Sequence, residues 1–273
     1  MGKFDGILIC TDLDGTLIGS DRNISRENIE AIEYFKSEGG YFTFVTGRMP
    51  FFVERMYNAI KPNVPFGCIN GGGLYDFPNQ KYIWMGEMGD GVNELIRMID
   101  EQFPKVGIQV NTFYKTYFSK ENEIMWWFRK GTGVPNLVKA YDDIDEPVAK
   151  IIFGVDNEED IRAVEKCLRA HPLADNFDFV RSEETLFEIL PKGIGKGVSI
   201  TKLVELLGID RKKTVSIGDY NNDISMFRAS NISVAVANAS EDAKAAAKYI
   251  TVSNNEHAIA RLIKDIEDGK YEF

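Results

Sequence analysis

The chain runs to 273 residues, long enough for a large core and more in keeping with two domains than one. Its 42 Asp and Glu outnumber 32 Lys and Arg, a formal net charge of −10. That field disfavours nucleic acid and anionic membrane as partners, so a phosphate-bearing ligand would need a locally built anion site. Cys10, Cys68 and Cys167 lie scattered without CxxC spacing, which reads as free thiols of a reducing compartment. The only unbroken apolar run near the start, Ile7 to Cys10, is too short for a signal peptide, and no stretch approaches 18 apolar residues. The expectation is a cytoplasmic protein.

In chain order, a strand over 6–10 is followed by a helix opening at the N-cap Ser25, with Ile29, Ile32 and Phe35 at three-residue steps and Gly39-Gly40 as its stop. A strand over 41–45, "TGR" at 46–48, a helix over 50–61 and a strand over 66–69 ending in "NGGG" come next. The middle of the chain reads differently. It carries a helix over 90–103, strands over 106–111 and 113–118, a short helix around "NEIMWWF", a strand over 149–155, a helix over 158–171 and two strands around 177–190. The last third returns to the first pattern with a helix over 196–208, a strand over 213–217 running into "GDYNND", a helix, a strand in "NISVAVANA", a helical "SEDAKAAAKY" and a closing amphipathic helix. Strands alternating with helices imply a parallel sheet covered on both faces. The fold class is therefore α/β, a Rossmann-like doubly wound parallel sheet over 1–84 and 192–273, with an inserted α+β domain over 85–191.

In such sheets ligands bind beyond the carboxyl ends of the strands, where "TDLDGT", "TGR", "NGG" and "GDYNND" all fall. Asp12 and Asp14 alone would be an ordinary solvated turn; four strand ends together are not. Gly15-Thr16 suits a sharp turn whose N–H groups face an anion. Thr46-Gly47 adds a hydroxyl beside a residue with no side chain. Lys196 stands at a helix start, against the macrodipole, a conflict that a bound anion would remove. Asp219, Asn222 and Asp223 bring further oxygens. Hard oxygen ligands of this kind suit Mg²⁺, which would neutralise Asp12 and Asp14 and bridge to a substrate phosphate.

These residues resemble a known family. "DLDGT" (12–16), "TGR" (46–48), Lys196 in "GIGKG" and "GDYNND" (218–223) match, in order, the four motifs of haloacid dehalogenase-like phosphatases. The insertion, "NGG" (70–72) and "EILPKGIGKG" (188–197) are similar to the Cof-type subgroup, whose inserted domain is a substrate-selecting cap. The resemblance implies a Mg²⁺-dependent phosphatase for small phosphorylated metabolites, sugar phosphates or cofactor phosphates. By the same resemblance Asp12 is the nucleophile that forms an aspartyl-phosphate and Asp14 the general acid and base. Asp12, the Asp14 carbonyl and Asp219 are metal ligands; Thr46, Gly47, Lys196 and Asn222 bind phosphate; Asp223 supports the metal site from behind. A phosphomutase with the same core, or a phospho-ligand-binding regulator, are the alternatives, and a monomer or weak homo-oligomer is expected. One departure is His257-Ala258, where the subgroup often has Asp-Gly.

Other residues have plainer readings. His171 suits a helix C-terminus, and His257 a solvent-exposed helix start. Met125 to Phe128 read as core of the inserted domain ahead of the alternative, the lining of a substrate pocket, Arg48 as either a substrate contact or a carboxylate partner, and "YDDIDEP" (141–147) as a solvated loop.

Overall fold

The computed structural model describes residues 2–273, which divide into two compact units, residues 2–85 with 195–273, and Gly86–Ile194. The first unit holds strands β1 (Leu8–Thr11), β2 (Tyr41–Phe44), β3 (Phe66–Cys68), β4 (Gly73–Asp76) and β5 (Lys81–Met85), with helices α1 (Arg26–Ser37) and α2 (Glu54–Ile60). The second holds α3 (Val92–Gln102), β6 (Gly107–Thr112), β7 (Thr116–Lys120), α4 (Glu123–Thr132), β8 (Val148–Gly154), α5 (Glu158–Ala170), β9 (Phe177–Glu183) and β10 (Leu186–Pro191). The chain then returns to the first unit through α6 (Lys196–Leu207), β11 (Thr214–Gly218), α7 (Ile224–Ala229), β12 (Ile232–Ala235), α8 (Glu241–Ala246), β13 (Tyr249–Ile250) and α9 (Ala258–Glu267).

The core of the first unit is the expected parallel sheet, ordered β13-β12-β11-β1-β2. Every residue of the central strand β1 is buried, as a strand covered on both faces must be. Leu8 and Cys10 pack on one face with Val45, Leu74, Ile200, Leu203 and Met226, and α1 packs against α9. Ser25 caps α1 as expected, its hydroxyl accepting the Asn28 N–H at 3.3 Å.

The sequence reading is corrected at several elements. Phe66–Cys68 does not lengthen the parallel sheet by a full strand. Its backbone pairs at one isolated bridge with the residue after β2, Val45 to Gly67, and it opens a separate antiparallel sheet ordered β3-β4-β5. The β4–β5 hairpin has no counterpart in the sequence reading, and its turn is rich in turn formers. Asp76 accepts the Asn79 N–H, Pro78 lies between, and Gln80 takes a left-handed backbone. The helix expected over 50–61 is a 3₁₀ turn at Pro50–Phe52 followed by α2. In "SEDAKAAAKY" the helix stops at Ala246 because Ala247 is extended, and Tyr249–Ile250 pairs with β12.

The second unit is α+β: a five-stranded antiparallel sheet ordered β7-β6-β8-β10-β9. Ile108, Val110, Ile151, Phe153, Phe187 and Ile189 pack with Leu95, Ile96 and Ile99 of α3 and Ile161, Val164 and Leu168 of α5. The strand expected over 113–118 begins later. Phe113-Tyr114 is the hairpin turn, held by Thr112, whose hydroxyl accepts the N–H groups of Tyr114 and Lys115. Of the four apolar residues from Met125, only Met125 joins the core. Trp126 and Trp127 stand exposed, edge to face at 4.7 Å. In "YDDIDEP" Glu146 is anchored rather than solvated, bonded to Thr112, Lys115 and Tyr117. His171 ends α5, its Nδ1 accepting the Leu173 N–H.

No helix among the described residues is long and apolar enough to cross a membrane.

Phe44 is fully buried and stacks on Phe66 with ring centroids 4.6 Å apart, just upstream of Thr46. Phe44→Ala is expected to lower stability by about 3–5 kcal/mol in urea unfolding, the usual cost of an aromatic cavity. A loss under about 1 kcal/mol would mean that this packing is not what the sheet rests on.

Candidate active site

Two neighbouring parallel strands deliver the acidic residues. β1 ends at Thr11, and Asp12 prolongs the ladder by donating its N–H to Ile217 O at 2.9 Å. β11 ends at Gly218, with Asp219 next and Asp223 at the close of a 3₁₀ turn. From the start of α6, whose N-cap Gly195 offers no side chain, Lys196 reaches in to meet them. Its Nζ lies 2.5 Å from Asp12 Oδ1 and 2.6 Å from Asp223 Oδ1, with all three residues buried. The conflict of a Lys at a helix start is thus removed by the protein's own carboxylates.

Burial alone would pull the Lys196 ammonium down, but Asp12 and Asp223 outweigh it and hold its pKa above the ordinary lysine value. Burial pushes the Asp12 carboxyl well up, opposed by Lys196 and reinforced by Asp223 and Asp219. Asp219 is pushed up to about 6, again by burial first and then by Asp223. Asp223 is the best satisfied of the three. Its Oδ2 accepts the N–H groups of Asp219 and Tyr220 at 2.8 and 3.0 Å. Asp219 receives the Thr16 hydroxyl at 2.8 Å, and a Cβ on Gly15, at φ 82°, would sit 2.5 Å from Asp219 Oδ2.

Ligand atoms of Asp12, Asp219 and Asp223 come within 4.8 Å of one another. Three carboxylates against one ammonium leave a surplus of negative charge, which adds to the upward push of burial on Asp219. A hard divalent cation fits this donor set.

Asp14, two residues from Asp12, is in the opposite environment. Its carboxylate is exposed and held by a two-pronged grip from Arg48, Nη2 to Oδ1 at 2.6 Å and Nε to Oδ2 at 2.8 Å. Of the two readings of Arg48, the structure gives the carboxylate partner. Thr46 is buried, its hydroxyl accepting the Arg48 N–H at 3.2 Å. Gly47 lies against Asn70, which accepts Asn222 Nδ2 at 3.2 Å. All eight residues singled out in the sequence therefore fall in the first unit, around the ends of β1, β2 and β11 and the start of α6. The reading missed the part played by Asn70, and Asn238, whose amide donates to Gly15 O at 2.8 Å.

A family model for haloacid dehalogenase-like hydrolases matches residues 9–263. The chain belongs to that family. Within the haloacid dehalogenase-like hydrolases its subgroup is the Cof-type. It is 26% identical to a 5-amino-6-(5-phospho-D-ribitylamino)uracil phosphatase of Bacillus subtilis, over 96% of this chain and 99% of that protein. A solved haloacid dehalogenase-like hydrolase from Bacteroides thetaiotaomicron superposes with a TM-score of 0.82 at 26% identity, over 95% of this chain and 99% of that one. A subclass IIB sugar phosphatase of the same superfamily shares the fold at a TM-score of 0.81 and 23% identity, over 95% and 98%.

Replacing Lys196 by Met would leave Asp12 and Asp223 buried without their cation. The expected cost is about 3–5 kcal/mol at neutral pH. A buried carboxyl whose folded pKa stands above its unfolded value carries no penalty below the unfolded value and a growing one as pH rises through the folded value. Lys196→Met should thus be destabilised least near about pH 4–5 and most near about pH 7–8. Unfolding curves across pH check this; a deficit independent of pH would refute it.

Proposed function

We propose that this hydrolase is a Mg²⁺-dependent phosphatase that cleaves small phosphate monoesters, sugar phosphates or cofactor phosphates, through an aspartyl-phosphate on Asp12. The observation that carries the reading is the buried Lys196 ammonium bonded to Asp12 beside Asp219 and Asp223. It opposes the rise that burial imposes on the Asp12 carboxyl and so favours the ionised form that can act as a nucleophile. Asp12, Asp219 and the Asp14 carbonyl would hold Mg²⁺, with Asp223 bracing the site. The ion supplies charge neutralisation for phosphoryl transfer.

An Asp12 oxygen attacks phosphorus as the bond to the leaving oxygen breaks. Asp14 gives that oxygen a proton and then takes one from the water that splits the aspartyl-phosphate, releasing phosphate and restoring Asp12. Lys196, the Thr46 hydroxyl, the Gly47 N–H and Asn222 bind the phosphoryl oxygens. Arg48 grips the ionised form of Asp14, so the grip must loosen before that carboxyl carries a proton. The relative's named substrate, a phosphate ester on a ribityl chain, lies within the proposed class. Residues 86–194 would act as the cap that selects the substrate, since all the residues assigned to the chemistry lie outside them. Cytoplasmic residence goes with this reading and with cysteines free of disulfides among the described residues.

Asp12→Asn keeps the shape and removes the attacking anion. Turnover of a phosphorylated-metabolite panel with Mg²⁺ should fall by about 10⁴-fold or more, and excess chelator should silence the parent enzyme. Substantial activity in either case would defeat the proposal.

Asp14→Asn separates acid catalysis from mere ligand holding. A sugar alkoxide needs the proton and an aryl oxide, with a phenol-like pKa of about 10, needs it less. Formation of the phosphoenzyme from alkyl phosphates should slow about 10²–10⁴-fold, and much less from activated aryl phosphates. Rapid-quench single-turnover kinetics read this step; equal slowing for both classes would rule out the acid role.

A further inference from the structure

Among the described residues, only 69–71 form a run of left-handed backbone, with Ile69 at φ 55°, Asn70 at 52° and Gly71 at 89°. Ile is β-branched and ill suited to that region. Such a conformation persists only where its surroundings over-determine it.

Those surroundings are the phosphate loops. Ile69 N–H donates to Arg48 O and Asn70 N–H to Thr46 O, each at 3.0 Å. A Cβ on Gly71 would sit 2.1 Å from Gly195 O, so the run lies directly against the residue before Lys196. A Cβ on Gly47 would sit 2.9 Å from Asn70 Oδ1. The Asn70 side chain is 5% exposed, and its Oδ1 accepts Asn222 Nδ2 at 3.2 Å. The strained run therefore touches every one of these loops, Asn70 those that carry Thr46, Gly47 and Asn222, and Gly71 the residue before Lys196.

An Asn amide can present either N–H donors or a carbonyl acceptor, and only the donors suit a phosphoryl oxygen. Asn70 Oδ1 engages one Asn222 Nδ2 hydrogen and leaves the second free to donate. We infer that Asn70 is a positioning residue of the phosphate site. Its side-chain carbonyl fixes the Asn222 amide with nitrogen toward the phosphoryl group, and its backbone N–H tethers Thr46. The inference rests on the phosphatase reading and adds to it a residue that touches no reacting atom.

The test is a double-mutant cycle. Asn70→Gly removes the amide while keeping a residue at ease in left-handed backbone; Asn222→Ala removes its partner. Inorganic phosphate serves as a competitive inhibitor of the Mg²⁺-loaded enzyme, alongside KM and kcat. Asn70→Gly should raise the phosphate inhibition constant and KM by about tenfold with a smaller change in kcat. In the Asn222→Ala background it should change the inhibition constant less than about twofold. Asn70→Ser, whose hydroxyl ends short of Asn222, should behave as Asn70→Gly does, and it carries the cycle if the glycine variant melts below the assay temperature. Multiplicative effects, or an unchanged inhibition constant, in an enzyme whose parent hydrolyses phosphate esters would overturn the positioning role alone. A parent without such turnover would overturn the phosphatase reading and this inference with it.

Discussion

A single ammonium organises the molecule's chemistry. Lys196 is 2% exposed and lies between Asp12 and Asp223, each of which would be untenable as an isolated buried charge. Neither half of this arrangement is stable without the other: burial disfavours the cation, and the two anions would repel. Bringing them together requires that the chain after β1, the chain after β11 and the start of α6 meet at one place. The parallel pairing of β1 with β11 does this, because it sets the ends of both strands side by side. The sheet order and the site are thus one constraint seen at two scales.

That constraint also resolves the two carboxylates that sit two residues apart. Asp12 is buried on Lys196, whereas Asp14 is exposed and gripped by Arg48. Two acids of one turn are sent to unlike environments, and unlike environments let two carboxyls take different roles. Asp223 shows the complementary strategy. With two backbone N–H groups and an ammonium it is structurally saturated, which leaves Asp219 the carboxylate with most to gain from a divalent ion.

Much of this was legible in the sequence because it is local. Ser25 announces α1 through its own hydroxyl, and the strand-end motifs mark the site because a doubly wound sheet places those ends together. What the sequence withheld depends on contacts between distant segments. The Arg48 grip spans 34 positions, and the Asn70–Asn222 bond spans 152; no periodicity encodes either. Trp126 and Trp127 misled for a different reason. Apolar character predicts burial only on average, and in α4 the side facing the core is occupied by Met125, leaving the next two residues outside. The β4–β5 hairpin has no counterpart in the sequence reading, because its two short strands are defined only by their pairing across the turn at Asp76 to Asn79.

The strained run at 69–71 extends the same logic from charge to backbone. Left-handed Ile69 is unfavourable in itself, by roughly 1–2 kcal/mol on general grounds. It is held by hydrogen bonds to the loop after β2 and by close packing on Gly195. A site that must present several donors to one small anion gains from having them fixed before the anion arrives, since ordering them afterwards would draw on binding energy. The first unit contains the means for this. Lys196 is fixed by two carboxylates, Asn222 by Asn70, and Thr46 by backbone bonds on both sides, donating to Gly67 O and accepting from Asn70. All of these contacts lie within the first unit, so none of them draws on residues 86–194.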